Sequence, residues 1–428
     1  MFTTIRNAWK IPELRKKILY TLLLIVIFRL GSVIPVPFIS PEAMNQIMNS
    51  GVGTLLEYLD TFTGGAFANA TIFAMGIQPY ITSSIIIQLL TVAIPALERM
   101  QKDEDGRKKL KGYTRLITIA LGAIQATGLY FGIRSAISNP GFLAFLTIAL
   151  SFTAGTAFLM WLGEQINDKG IGNGISMIIF AGIISRLPST VISFIQGLIG
   201  GTVSIFVVLG IVIISLVIIA AVVFMTDSER KINVQYAKKV VGRKMYGGQN
   251  THIPIKLMAT GVMPIIFASS LLMFIPTVAQ FFGKEANTTT LFGRFLGMFS
   301  TSSWFYIVAY FFLILFFTYF YTAIQYNPIE IANNIKKNGG FVPGLRPGRP
   351  TSDFIMKVLT RVTLAGAFFL GFIAVLPYLL SKGAALIGAA LEVGIGGTSL
   401  LIVVGVALET TKQLESQMLM RHYKGFLE

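Results

Sequence analysis

Residues 203–225 read VSIFVVLGIVIISLVIIAAVVFM, without one charged side chain. A bilayer core about 30 Å thick is crossed by roughly 20 apolar residues in a helix, so this stretch alone is long enough to span it. Comparable runs recur at 18–34, 70–91, 114–133, 142–162, 175–194, 259–281, 304–324, 355–379 and 395–409. Together they predict an all-α polytopic membrane protein of about ten transmembrane helices. The composition agrees: 54% of the 428 residues are hydrophobic and 13% charged, where a soluble domain carries roughly 25% charged residues.

An even number of spans returns both termini to one side. The segments on that side hold 29 of the 35 Lys and Arg residues; the opposite side holds Arg134, Arg186, Lys284, Arg294 and Lys382, and Arg29 lies inside the first span. By the positive-inside rule the basic side is cytoplasmic, and its loops suit anionic lipids. The expected divisions are a basic segment 1–17, a first half 18–199, a second half 200–409 and a cytosolic tail 410–428. Two cytosolic loops, 226–258 and 325–354, are long for helix connections, and their basic projections suit an acidic partner or RNA. Pro35-Val36-Pro37 follows the first run with no small-residue cleavage pattern, so that run reads as a retained helix. The chain has no cysteine, which excludes disulfides and thiolate chemistry.

The halves share their punctuation. Gly76-Ile77-Gln78-Pro79 opens the second span and Gly261-Val262-Met263-Pro264 the seventh; Gly170-Ile171-Gly172-Asn173-Gly174-Ile175-Ser176 precedes the fifth and Gly394-Ile395-Gly396-Gly397-Thr398-Ser399 the tenth. With an odd number of spans in each half, the second half runs opposite to the first. Paired Gly/Pro breaks in an inverted repeat point to a central pathway, because irregular backbone at membrane depth is tolerated only beside a cavity or inside protein. The alignment also pairs Ile81 with Ile266 and Ile179 with Ile402. A ring of such side chains would gate a pore by dewetting.

Other chemistries are poorly supplied. Apart from Arg29, and Arg115, Arg186, Lys357, Arg361 and Glu409 toward span ends, the spans carry no Lys, Arg, Asp or Glu, whereas ion-coupled carriers place such groups on their pathways. The only histidines, His252 and His422, lie in a cytosolic loop and the tail. No intramembrane Ser-His dyad or histidine zinc site can be assembled, and no Gly-rich loop ends in Gly-Lys-Ser/Thr to hold a nucleotide. Residues 53–67 are apolar but too short to span; Leu55, Leu56, Leu59 and Phe62 share a helical face. Glu57 and Asp60 are expected to face water, with Gly64-Gly65 as a flexible joint.

Several motifs occur in the order of a known family. Phe28-Arg29-Leu30-Gly31, Ile34-Pro35-Val36-Pro37, Pro79-Tyr80-Ile81, Trp161-Leu162-Gly163-Glu164-Gln165-Ile166, Gly172-Asn173-Gly174-Ile175-Ser176, Thr251-His252-Ile253-Pro254, Asn327-Pro328, Phe341-Val342-Pro343-Gly344-Leu345-Arg346-Pro347-Gly348 and Gly396-Gly397-Thr398-Ser399-Leu400-Leu401-Ile402 resemble the SecY family over roughly residues 6–426. The resemblance implies two inverted five-helix halves around a central hourglass pore that passes secretory polypeptides and releases apolar segments sideways. It implies a pore ring of Ile77, Ile81, Ile175, Ile179, Ile266 and Ile402, and a re-entrant plug helix over 53–67 carrying Leu55, Leu56, Leu59 and Phe62. It also implies a lateral gate with Thr82, Gln88, Phe274 and Val278.

The same resemblance implies partners: small subunits similar to SecE and SecG, the SecA motor ATPase, the ribosome, signal peptides and secretory preproteins. Arg243 and Arg346 match the family's motor and ribosome contacts. No cofactor or metal is implied, and the place is the bacterial plasma membrane with both termini cytoplasmic. At one point the chain departs from the pattern, since Met258 stands where the family has a polar asparagine. A secondary transporter of a small solute is the competing reading, and a lipid or polysaccharide flippase a further one.

Overall fold

Each expected span is occupied by a helix: α1 (Pro12–Gly31), α2 (Gln78–Ala93), α3 (Glu104–Gly132), α4 (Phe142–Lys169), α5 (Gly174–Ile199), α6 (Ile205–Asp227), α7 (Met263–Phe281), α8 (Trp304–Gln325), α9 (Arg349–Leu386) and α10 (Gly397–Lys424). The computed structural model describes residues 2–49, 60, 62–201, 204–236, 239–241, 244–246, 250–258, 260–281, 291–300, 303–386 and 397–424. Among these, α4, α5, α6, α8 and α9 are long and apolar enough to cross a membrane on their own. A sixth candidate joins α2 to the short helix Pro95–Lys102 across a bend of 106°. The bend has a local cause. Helical backbone is disfavoured for a residue before proline, and Ile94 sits extended at φ −111°, ψ 112°.

Glycine and proline set the mid-depth helix starts as the repeat predicts. Gly76 and Gly261 adopt the same left-handed conformation, φ 58° and 60°. The carbonyl after Gly76, that of Ile77, accepts from the amides of Tyr80 and Ile81, both at 3.1 Å. The carbonyl of Val262 accepts in the same way from Ile265 (3.1 Å) and Ile266 (3.3 Å). Ile81 and Ile266 are therefore structural equivalents. Of the second motif pair, Gly394, Ile395 and Gly396 lie outside the described residues, while Thr398 and Ser399 are buried in the first turn of α10.

The first copy of that motif is a capped helix start. Asn173 accepts from the amides of Ile175 (3.1 Å) and Ser176 (3.4 Å), and Asn167 from that of Gly174 (2.8 Å). These bonds cover amides that the first turn leaves unpaired. Gly174 is pressed against the backbone of Gly163, which brings α4 and α5 into contact. A single apolar core then runs through both halves, holding Ile81 and Ile179 from the first with Ile266 and Ile402 from the second.

The two long basic loops are not separate projections. Strand β1 (Glu229–Tyr236) pairs antiparallel with β4 (Asn250–Lys256) from its own loop and with β5 (Gly340–Phe341) from the other. Between β1 and β4, β2 (Lys239–Val241) and β3 (Lys244–Tyr246) form a hairpin. Ile232, Val234 and Ile255 from the sheet pack on Ala332, Ile335 and Val342 from the second loop.

Close helix packing yields a test. An added Cβ at Gly174 would overlap the Gly163 carbonyl, whereas one at Gly112 would meet open space. Gly174→Ala is expected to destabilise by about 1–3 kcal/mol, as overpacking does. Gly112→Ala should be neutral or stabilise by up to about 1 kcal/mol. Thermal melting of the purified variants in detergent measures both.

Candidate functional site

The mid-depth start of α2 places Ile77 and Ile81 inside the protein, and α5 and α7 bring Ile179 and Ile266 to the same point. These four isoleucines line one small cavity together with Phe28 of α1, Leu159 of α4, Ile178 of α5 and Met273 of α7. Its volume of about 20 Å³ holds a water molecule or two. Most of the wall is apolar; Thr63, Gln78, Ser269 and Ser270 supply the polar side chains, and the Ser269 hydroxyl already donates to the Ile266 carbonyl at 2.9 Å. The other two expected ring residues stand apart from this cavity. Ile402 is fully buried in the same core, and Ile175 is half-buried against it.

Phe62 and Thr63 close one wall of the cavity. Leu55, Leu56 and Leu59, the other expected plug residues, lie outside the described residues. The adjoining turn differs from its expectation. Asp60 does not face water; it is fully buried and forms an ion pair with Arg186 of α5. Its carboxylate also accepts from the amide of Ala68 at 2.8 Å, and its carbonyl from Gly65 at 3.1 Å. Burial is possible because the charge is paired and hydrogen-bonded.

Nor is Gly64-Gly65 a loose joint. Arg29 donates to the Gly64 carbonyl at 3.3 Å, and an added Cβ at Gly64, where φ is 68°, would strike Ser185, Gly182 and Arg29. Gly64 serves close approach here, and Gly65 a left-handed turn at φ 89°.

The expected gate residues divide. Thr82 is buried, and its hydroxyl donates to Gln78 of its own helix at 3.1 Å. Phe274 is half-buried on α7, and the Val278 side chain lies outside the described residues. Gln88 donates to Ser84 at 3.1 Å and accepts from the hydroxyl of Tyr321 on α8, which joins the first half to the second. Met258, at the position of the family's asparagine, is buried in the core with its sulfur 3.5 Å from the Thr226 hydroxyl.

The sequence matches the SecY family over residues 71–411. It is 46% identical over 439 residues to the protein translocase subunit SecY of Halalkalibacterium halodurans, and 45% over 440 residues to that of Bacillus subtilis, covering the whole of each chain. The chain belongs to the SecY family. Its fold is similar to a solved protein-conducting channel at 19% identity and TM-score 0.65, covering 94% of this chain and 92% of that one. A second solved structure, Sec61 in the canine ribosome–channel complex, aligns at TM-score 0.59 with the same coverage.

As a SecY-family protein this chain is a channel subunit of a membrane translocase rather than an enzyme. Arg346 is exposed in a tight turn between the left-handed glycines Gly344 and Gly348, with its carbonyl held by Thr351 at 2.9 Å. Arg243 lies outside the described residues. Sequence reasoning missed Ile178, one helical turn from Ile175, although the i, i+3 spacing was available. It also missed Tyr321 and the pairing of Arg186, which join segments far apart in the chain.

The buried pair is testable by single and double substitution. Asp60→Asn or Arg186→Gln alone is expected to cost roughly 3 kcal/mol, the low end for a broken buried pair because Arg186 is 32% exposed. Replacing both by leucine should cost less than either single change. Melting and resting ion conductance in planar bilayers measure the two effects, and both should move together.

Proposed function

We propose that this chain is the pore-forming subunit of a Sec protein translocase, passing unfolded polypeptides through the isoleucine constriction and releasing apolar segments sideways between α2/α3 and α7/α8. The observation that carries the reading is the convergence of Ile77, Ile81, Ile179 and Ile266 on one cavity at the two mid-depth helix starts. Such a collar excludes water and ions without a fixed charge, and it yields to a chain of any sequence because apolar contact is non-directional. Ile175 and Ile402 complete the ring in this reading when the halves part. The chain divides into halves 18–199 and 200–409, with Leu55, Leu56, Leu59 and Phe62 as the plug.

The protein sits in the bacterial plasma membrane with its termini in the cytosol, in keeping with the basic loops. The sheet that unites the two long loops presents a single platform for SecA or a ribosome, with Arg243 and Arg346 as contacts. Sec61, of the same fold, is solved in a ribosome–channel complex. Small subunits similar to SecE and SecG, and anionic lipids, complete the assembly. A small-solute carrier finds no support, since the named relatives are translocase subunits.

Because the chain has no cysteine, single cysteines report cleanly. An arrested secretory chain is expected to cross-link to cysteine at Ile81 and at Ile266 but not at Phe206, which is 80% exposed on α6. Absence of both cross-links would sink the pore reading. Ile81→Gly with Ile266→Gly should raise resting conductance. For the platform, Arg346→Glu is expected to cut motor-driven translocation at least tenfold, about 1.4 kcal/mol, with the amount of membrane-inserted protein unchanged. Translocation of a radiolabelled preprotein into vesicles measures it.

A further inference from the structure

The inverted repeat continues past the paired isoleucines of α5 and α10. From Ile179, Gly182 is three positions on and Arg186 seven; from Ile402, Gly405 is three on and Glu409 seven. Both glycines allow a close approach to the stretch around a mid-depth helix start. An added Cβ at Gly182 would strike the Phe62 carbonyl, and one at Gly405 would strike the Val262 side chain. The two charged residues share a helix face with their isoleucines, about 10 Å further along. In an inverted repeat they fall on opposite sides of the constriction, and they are opposite in sign.

One copy of this brace is closed and the other is open. Arg186 is ion-paired with Asp60. Glu409 covers the left-handed Gly261, its Oε2 3.3 Å from where a Cβ would stand, and the charge that acts on it is Lys256, from beyond ion-pair distance. Both side chains are exposed. Lys412, one turn along α10, is taken up by Asp227 at 2.7 Å and by the Thr226 carbonyl at 2.8 Å, which leaves Glu409 to Lys256. The link that follows Lys256 is gripped elsewhere: the Leu257 amide donates to Ser228 at 2.9 Å, and the Leu257 carbonyl lies against Gly366 of α9.

We propose that Glu409 is a positioning residue of the channel: its carboxylate pairs with Lys256 when the sheet of the two long loops is displaced, and so couples that platform to the constriction. The inference rests on the translocase reading above and names the residue through which a motor's load reaches the isoleucines. Lys256 ends β4, which is paired along its length with β1, so a shift of the sheet carries Lys256 with it. The path onward is short, since Gly261 follows Lys256 by five residues and Ile266 follows Gly261 by five. Glu409 stands on the helix that carries Ile402, so the closed pair ties Ile266 and Ile402 to the sheet as one body. An ion pair between exposed groups is weak enough to form and release within each cycle.

The test is a charge swap in the complete translocase, reconstituted in vesicles with its motor. Glu409→Lys and Lys256→Glu are each expected to lower motor-driven transport of a radiolabelled preprotein about 3- to 10-fold. The two together should return it to within about 2-fold of the wild type. Resting conductance and melting temperature should stay unchanged in all three, because the pair is open at rest; a merely structural role would move both. Should a charge-reversed variant fail to accumulate, Glu409→Gln and Lys256→Gln decide: each is expected to lower transport about 2-fold, and no further in combination.

Transport at the wild-type rate in either reversal, or a fall in melting temperature that accompanies the loss, would overturn the proposal. So would a swap that recovers nothing, the result expected if Lys256 touches the motor directly. If an arrested chain cross-links to neither Ile81→Cys nor Ile266→Cys, the translocase reading fails instead.

Discussion

A helix that begins inside the apolar layer has to cover its own first amides. Water is absent there, and each uncovered group costs several kcal/mol. The structure meets this constraint twice with one device. A left-handed glycine turns the chain, the next carbonyl accepts the first two bonds, and a proline in the first turn removes a donor that would otherwise need a partner. Such a start is stable only when enclosed by protein. Gly76 is covered by Thr63 and Gly261 by Glu409. The isoleucines that follow, Ile81 and Ile266, are consequently fixed in the interior, and the cavity forms where these two starts face each other.

That device was legible in the sequence because glycine and proline act locally. Gly76 and Gly261, fifth before their isoleucines, carry the pairing without any knowledge of packing. The spans were legible for a similar reason, since an apolar run identifies itself. Asp60 was not. The expectation that it faces water followed correctly from the cost of burying an unpaired carboxylate, but its partner Arg186 lies 126 positions away, on another helix. A pairing of that separation leaves no local pattern. The same holds for Tyr321, 233 positions from Gln88.

The sheet that joins the two long loops is an intermediate case. Ile232 and Val234 alternate with exposed Lys231 and Asn233, which is the period of a half-buried strand. The signal was there, yet a strand needs a partner. Its neighbours are the distant β4 and the two-residue β5, whose own sequences are too short or too polar to declare themselves. Joining both loops has a mechanical effect. A load applied at the Arg346 turn is borne by β5 and β1 together and so reaches α6, α8 and α9, which carry those loops.

The placement of polar contacts between the halves gives their relative motion a direction. Two bodies joined by directional bonds along one edge and by non-directional contact along the other part at the second edge, because apolar surfaces can exchange one neighbour for another while hydrogen bonds must be broken outright. Along α10 the Gly172 amide, the Thr4 hydroxyl and the Lys17 ammonium donate to the side chains of Gln413, Glu415 and Gln417 at three levels of the helix. Between α2 and α8 the Tyr321 hydroxyl donates to Gln88, beside Phe267 and Phe317, which pack α7 on α8. The apolar seam also matches its alternative environment. A membrane protein whose interior edge is as apolar as lipid has little to lose by exchanging one for the other.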